Sequence, residues 1–525
     1  MAQDYIVVGA GSAGCAAAAG LVRERDASVL LLEAGPKGRD PRLNVPAAAA
    51  DLWFGRYDWA YETEPQSAFD GRRDTWPRGR VVGGSSMINA MMYVRGMDID
   101  FDGWEAQGAV GWGAAEMTAA FRRIEDDVRG PTAHRGVGGP VRIEHQRDPS
   151  PLSGAFLDAC EEYGIPRSED YHHQPDSCGL TMVTQRSGRR WSAVDAFLAP
   201  LLRERDPRLR IRADVEVARI VVEGGRAIGV EAWVDGRLRF TRADREVIVA
   251  GGAVASPQLL LRSGIGPADH LRDTGVEVVA DLPGVGENLQ DHVLSGVVAR
   301  TDADSLFGAD RDPAAIARYL RHRRGPLTSN LGEAIAFIRT DPEEPAPDVE
   351  LIALPSPMLD HGRTRFPEHG MIIAAIVLRP ESRGRIRLAS AEAGTPPRIE
   401  PRTLEDPGGV DRRRLRAGVR WCQKLAMESS ALGHRISGLI EPALPLDDDA
   451  DLDAHIARTA QTLYHPVGTC RIGQDEMAVV DPQLRVHGVA GLRVADASVL
   501  PTLLRGHTNA AAMAVGERLA TEFIT

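Results

Sequence analysis

Asp4-Tyr5-Ile6-Val7-Val8-Gly9-Ala10-Gly11-Ser12-Ala13-Gly14 opens the chain and decides its fold. Five residues of buried-strand character run straight into a Gly-x-Gly-x-x-Gly turn, and the Ala-rich stretch from Cys15 to Val22 continues with helical character. A second apolar strand, Ser28 to Leu32, ends on Glu33, nineteen residues beyond Gly14. Strand, glycine turn, helix, strand and acidic residue thus fall within the roughly 30 residues that a dinucleotide-binding unit needs. Gly9 permits the tight turn, Gly11 lets backbone approach a pyrophosphate, and Gly14 lets the helix pack on its strand. The helix N-terminus adds unpaired amides and the positive end of a dipole. Glu33 can accept from both ribose hydroxyls and would repel a 2′-phosphate, so NADP is disfavoured. A bound adenine dinucleotide is expected.

A chain of 525 residues is too long for one core and predicts two or more domains. Its 43% hydrophobic and 26% charged residues are ordinary for a globular protein. The net charge of −12 argues against nucleic-acid binding. Lys37 and Lys424 are the only lysines, so almost every positive charge is an arginine. The five cysteines (Cys15, Cys160, Cys178, Cys422, Cys470) are scattered, without CxxC spacing, which indicates neither a disulfide framework nor a cysteine zinc site. His134 and the His172-His173 pair lack companion ligands at metal-binding spacing, so no metal site is expected. No apolar run reaches the ~18 residues of a membrane span, and the nucleotide strand starts too early to leave room for a cleaved signal peptide. A reduced, cytoplasmic setting is the simplest expectation.

Helix- and strand-like segments alternate, which favours an α/β architecture. The stretch 36–80 is dense in Pro, Gly and aromatic residues and is too long for a plain connector, so it is expected to cover a ligand. Segments 209–222 and 227–250 read as further strands of the nucleotide domain. Between 300 and 455 a charged helical pattern at 313–324 alternates with probable strands at 333–339, 348–354 and 371–378, which suits an antiparallel cap. The last 70 or so residues return to the first character, with a strand at 491–496 and a helix over 508–523. Two more small-residue turns follow the first: Arg80-Val81-Val82-Gly83-Gly84-Ser85-Ser86, and Gly251-Gly252-Ala253-Val254-Ala255-Ser256-Pro257 after a strand. Each alone is unremarkable, and each could bring backbone amides to a flat, electron-accepting ring.

Five segments taken together carry a resemblance over essentially the whole chain. They are the VVGAGSAG…LLEAG start, RGRVVGGSSMINAMMYVRG at 78–96, GGAVASPQLLLRSGIG at 251–266, HPVGTC at 465–470, and GLRVADASVLP with GHTNAAAMAVGERLA at 491–520. The chain resembles the glucose–methanol–choline (GMC) oxidoreductase family. The resemblance implies FAD rather than NAD, and oxidation of an alcohol by hydride transfer to the flavin. The implied fold is α/β: a Rossmann-like FAD-binding domain with an inserted α+β substrate domain on an antiparallel sheet. On this chain the FAD domain would comprise 1–150, 191–300 and 456–525, and the substrate domain 151–190 and 301–455.

Carried onto matching positions, Gly9, Gly11, Ser12, Ala13 and Gly14 would hold the FAD pyrophosphate, with Glu33 and Ala34 at the adenosine ribose. Val82, Gly83, Asn89 and Met91 would lie along the flavin, Val217 would meet the adenine through its backbone, and Asp496 and Thr508 would sit by the phosphates or ribityl chain. Ile88 stands where some choline-oxidising relatives carry a histidine linked to the flavin; isoleucine cannot form that bond, so the FAD is expected to be non-covalent. His465 matches the family's catalytic histidine, and an imidazole suits removal of a hydroxyl proton as hydride leaves the α-carbon. His507 stands where many family dehydrogenases carry asparagine; as a His pair with His465 it is similar to glucose- and aryl-alcohol-oxidising relatives. His507 could donate to the substrate oxygen or share the base role, or Asn509 could be the functional group instead. His292 and His487 lie in family-typical turns and are expected to be structural, as is Arg189-Arg190-Trp191-Ser192.

The expected partners are a small alcohol substrate and an electron acceptor, either O2 or another molecule. The alcohol is left open between a hydroxymethyl group of a sugar or aminoglycoside, an aryl alcohol and other small alcohols. The alternative is a hydroxynitrile-lyase-type enzyme of the same fold, which keeps FAD without using its redox chemistry.

Overall fold

The opening stretch forms strand Gln3–Val8 and helix Ser12–Glu24, and strand Val29–Leu32 returns beside the first. The computed structural model describes residues 3–302 and 305–524. Five strands run parallel in the order Leu209–Arg212, Val29–Leu32, Gln3–Val8, the second half of Arg237–Val249, and Leu492–Val494. The first half of Arg237–Val249 pairs antiparallel with Arg226–Val234, which pairs in turn with Glu216–Glu223. Ile6 and Val7 are wholly buried, and for that reason the strand reads as a continuous apolar run without alternation.

The chain's two ends close on each other through small residues. A methyl added at Gly516 would stand 2.1 Å from the Ala13 carbonyl oxygen, and one at Gly20 would stand 2.5 Å from Ala520 Cβ. Helix Thr508–Arg518 therefore lies against helix Ser12–Glu24 at a distance only Gly and Ala permit. The Ser12 hydroxyl donates to Asn509 Oδ1 at 2.6 Å, tying the first glycine turn to the last helix. That helix ends at Arg518 and widens to a π-type turn over Leu519–Phe523, within the 508–523 stretch read as one helix.

The second sheet is antiparallel, in the order Ile436–Glu441, Val293–Thr301, Gly370–Val377, Val349–Leu354, Ala334–Ile338, Cys178–Leu180. Its side chains alternate strictly. Val293, Val297, Val349, Leu351, Ile373 and Ala375 pack into one core with helices Pro151–Glu162 and Val410–Glu428, while Leu294, Ile352, Ile372 and Ala374 point to the other face. The expected limits at 300 and 455 do not follow this sheet. The first cuts strand Val293–Thr301, and the second falls inside helix Asp449–Thr459, after which Gln461–Thr462 still pairs with Val293–Leu294. Charge patterning marks the cap's exposed helices, whereas the sheet beneath them carries no such charge signal.

Candidate active site

A cavity of about 700 Å³ lies between the two sheets, within the roughly 300–1,000 Å³ of small-molecule sites. Its walls bring together Gly9, Gly11, Ser12, Ala13, Glu33, Ala34, Asn89, Met91, Val217, Asp496, Thr508, His465 and His507. Three expected residues stand off the wall. Gly14 is a packing residue, since a methyl there would reach 1.9 Å from the Gly9 carbonyl oxygen. Val82 is buried in the core of the nucleotide domain, and the Gly83 amide donates to the Ala10 carbonyl at 2.7 Å. The second glycine turn meets the cavity slightly later, through Gly84, Ser85 and Ile88.

The nucleotide end fits an FAD. Gly9 has φ +103°, and a methyl there would collide with the Ala250 carbonyl oxygen at 2.4 Å, so only glycine closes this turn. Nothing stands within 4 Å of a methyl built on Gly11, which leaves room for a phosphate over the helix N-terminus. Glu33 accepts from the amides of Ala10 and Gly35, each at 2.9 Å, and burial pushes its carboxyl up to about 7 against those two bonds. Arg262 lines the same end with its side chain 8% exposed, 3.8 Å from Glu216, and its Nε and Nη1 have no hydrogen-bond partner. Orphaned donors of this kind are costly unless a ligand takes them. The Asn89 carbonyl is taken by Arg190 Nη1 at 2.7 Å and the Met91 amide at 3.1 Å, leaving the side-chain NH2 to donate. Asp496 accepts from the Gly252 amide, Ser256 Oγ and the Ser498 amide, which fixes the third turn.

At the other end, the His465 and His507 rings meet edge to face with centroids 4.7 Å apart. Each is held by a residue that the sequence did not mark as part of the site: His292, expected to be structural, and Glu350. His292 Nε2 lies 3.0 Å from the Leu378 carbonyl oxygen, which can only accept. Burial, followed by the nearby His507, brings the His292 imidazole down to about 3, so it is neutral with its proton on Nε2. Its Nδ1 lies 2.9 Å from His465 Nδ1, and with the His292 hydrogen on Nε2 that contact is made by His465 donating. His465 is thereby left with its Nε2 lone pair free. The expectation that His292 is structural is corrected: it selects the tautomer of His465. Burial, then repulsion from His507 and His292, holds the His465 imidazole well below the usual histidine range.

His507 is held by Glu350, whose Oε1 lies 3.1 Å from its Nε2 while Oε2 has no partner. Glu350 sits in the apolar strand Val349–Leu354, and a charge at an inward position of such a strand was the one signal available for it. The turn carrying His465 is fixed by half-buried side chains: Asp291 accepts from the His465 amide at 2.8 Å and from the Thr462 hydroxyl, and Arg78 donates to the Tyr464 carbonyl at 2.5 Å. His134 and His173 lie outside this site with rings 3.9 Å apart, and the Arg95 guanidinium 3.3 Å from His173 disfavours a cation there.

The family model described as GMC oxidoreductase matches residues 3–294 with its N-terminal part and 380–516 with its C-terminal part. A GMC-type oxidoreductase of Mycobacterium tuberculosis is 44% identical over 525 residues, 99% of this chain and 98% of that protein. Human mitochondrial choline dehydrogenase is 39% identical, covering 98% of this chain and 89% of its own length. The crystal structure of pyridoxine 4-oxidase from Mesorbium loti superposes with a TM-score of 0.90 at 33% identity, over 99% of both chains.

Proposed function

The chain belongs to the GMC oxidoreductases, FAD-dependent enzymes acting on CH–OH donors, and from that premise we propose that it oxidises a primary alcohol to an aldehyde with His465 as the base. The observation that supports this is the His292 imidazole against His465, whose Nδ1 at 2.9 Å takes the His465 Nδ1 hydrogen and leaves the Nε2 lone pair of a cavity-lining histidine unshared. FAD, when bound, supplies the acceptor for the hydride that leaves the alcohol's α-carbon.

His465 Nε2 takes the hydroxyl proton as that hydride departs. His507 lies edge-on to His465 with Nε2 against the Glu350 carboxylate, and a hydrogen given there leaves its Nδ1 as an acceptor that shares the base role. Such a base contributes about two to four orders of magnitude in rate. Ile88 lines the cavity and offers no nucleophile to the ring, which supports non-covalent FAD. The electrons leave to O2 or another acceptor. Among the alcohols open at the outset, the apolar wall made by Leu294, Ile352, Leu354 and Ile372 favours an aryl or other apolar alcohol over a sugar or aminoglycoside, whose hydroxyls it could not satisfy. Anaerobic mixing with a panel of primary alcohols tests this. The flavin band should bleach with apolar members; an unbleached band alongside cyanohydrin cleavage would support the lyase alternative.

A further inference from the structure

The sheet face that walls the cavity carries Leu294, Val298, Ile352, Leu354, Ile372 and Ala374, and Glu350, two residues before Ile352, is tied to His507. The same cavity carries a second polar group. Tyr464 and His361 both line the cavity, and behind them Asp74 is buried. His361 Nε2 lies 2.8 Å from Asp74 Oδ1, and His361 Nδ1 lies 2.9 Å from the Tyr464 hydroxyl. The free carboxylate oxygen is also taken, since Asp74 Oδ2 accepts from the Thr462 amide at 2.8 Å. Carboxylate, imidazole and phenol are thus joined in a row, contributed by residues almost 400 positions apart.

The row has a direction. Asp74 can only accept in its carboxylate form, so a singly protonated His361 carries its hydrogen on Nε2 and takes the Tyr464 hydrogen at Nδ1. Burial keeps the Tyr464 phenol protonated, its ionisation held well above the ordinary range. With its hydrogen given to His361, the phenol of cavity-lining Tyr464 keeps only oxygen lone pairs for a ligand. Considerable strain is spent on this placement: Tyr464 has φ +68° and His361 φ +56°, a region that costs a non-glycine residue about 1–3 kcal/mol. The Trp53 ring packs on Tyr464 with centroids 5.0 Å apart and planes tilted by 49°, and its indole donates to the Ile88 carbonyl at 3.0 Å, so the phenol is held from a second side by an aromatic ring that also lines the cavity.

We propose that the substrate is an aryl alcohol bearing a second hydrogen-bond donor, a ring hydroxyl, which donates to the Tyr464 oxygen while Asp74 and His361 hold that oxygen as an acceptor. This rests on the reading of the cavity as an alcohol-oxidising site. Hydroxyl and methoxy groups donate electrons to a ring to similar extents, and only the hydroxyl can donate a hydrogen bond. The test is kcat/KM, with the rate of anaerobic flavin reduction, for 3- and 4-hydroxybenzyl alcohol against 3- and 4-methoxybenzyl alcohol. The wild type should prefer one hydroxyl isomer over its methoxy counterpart by about tenfold or more. Tyr464→Phe should bring that ratio close to one, chiefly through KM. His361→Leu, which frees the phenol hydrogen to donate, should move the ratio toward the methoxy compound. A wild-type ratio near one for both isomer pairs, or a ratio that survives Tyr464→Phe, overturns the inference. Bleaching with aliphatic alcohols but with none of these four also overturns it and leaves the alcohol-oxidation reading standing; no bleaching with any alcohol overturns both.

Discussion

Replacing His292 by leucine isolates the tautomer argument, because it removes the acceptor at 2.9 Å from His465 Nδ1 without touching the cavity wall. A buried donor left without a partner costs about 1–3 kcal/mol. His465 can escape this cost by moving its proton to Nε2, and in that tautomer it presents no lone pair for the substrate hydroxyl. Taking about 2 kcal/mol for the shift, the competent tautomer falls roughly 30-fold at about 1.4 kcal/mol per tenfold, and the rate falls with it. Stopped-flow anaerobic flavin reduction reads this directly, with FAD content and thermal unfolding as controls for the lost bond to the Leu378 carbonyl. His292→Asn, whose amide can both accept and donate, should recover much of the rate. In the double variant with His465→Ala, His292→Leu should cost little further, since the two act as one unit. A reduction rate within about threefold of wild type in His292→Leu would refute the tautomer argument.

Other outcomes follow from the same geometry. Because burial and two imidazoles depress the His465 pKa, its base form is populated throughout the neutral and alkaline range, so flavin reduction should be flat there and fall only below the ordinary imidazole range; a rate rising through pH 7–8 would contradict this. Arg262→Leu removes two guanidinium nitrogens without hydrogen-bond partners at the nucleotide end and should make the holoenzyme release flavin about 10- to 100-fold more readily on dilution, read by flavin fluorescence; unchanged release would deny the arginine any part in holding the dinucleotide. Acid precipitation should leave all the yellow colour in the supernatant, whereas a yellow pellet would exclude non-covalent FAD.

Most of the fold was legible because it rests on local rules. Gly9 and Gly14 are demanded by backbone collisions that any such turn meets, and the run from Tyr5 to Val8 needed only its burial on both faces to be recognised. His465 and His507 were legible through their surrounding motifs. What surrounds them was not. His292 precedes a strand and looks like turn chemistry until folding sets its Nδ1 against a residue 173 positions away. Glu350 resembles one acidic residue among many until alternation along Val349–Leu354 turns it toward His507. Asp74, His361 and Tyr464 share no local signal at all, because their link exists only where the long early loop, the cap and the carboxyl-terminal turn meet.

The central claim is that His465 removes the hydroxyl proton of an alcohol held beside bound FAD. Anaerobic stopped-flow reduction of FAD-replete His465→Ala by a primary alcohol tests it most directly. The predicted result is a full complement of bound FAD with reduction slowed by about two to four orders of magnitude. Reduction at close to the wild-type rate would contradict the account.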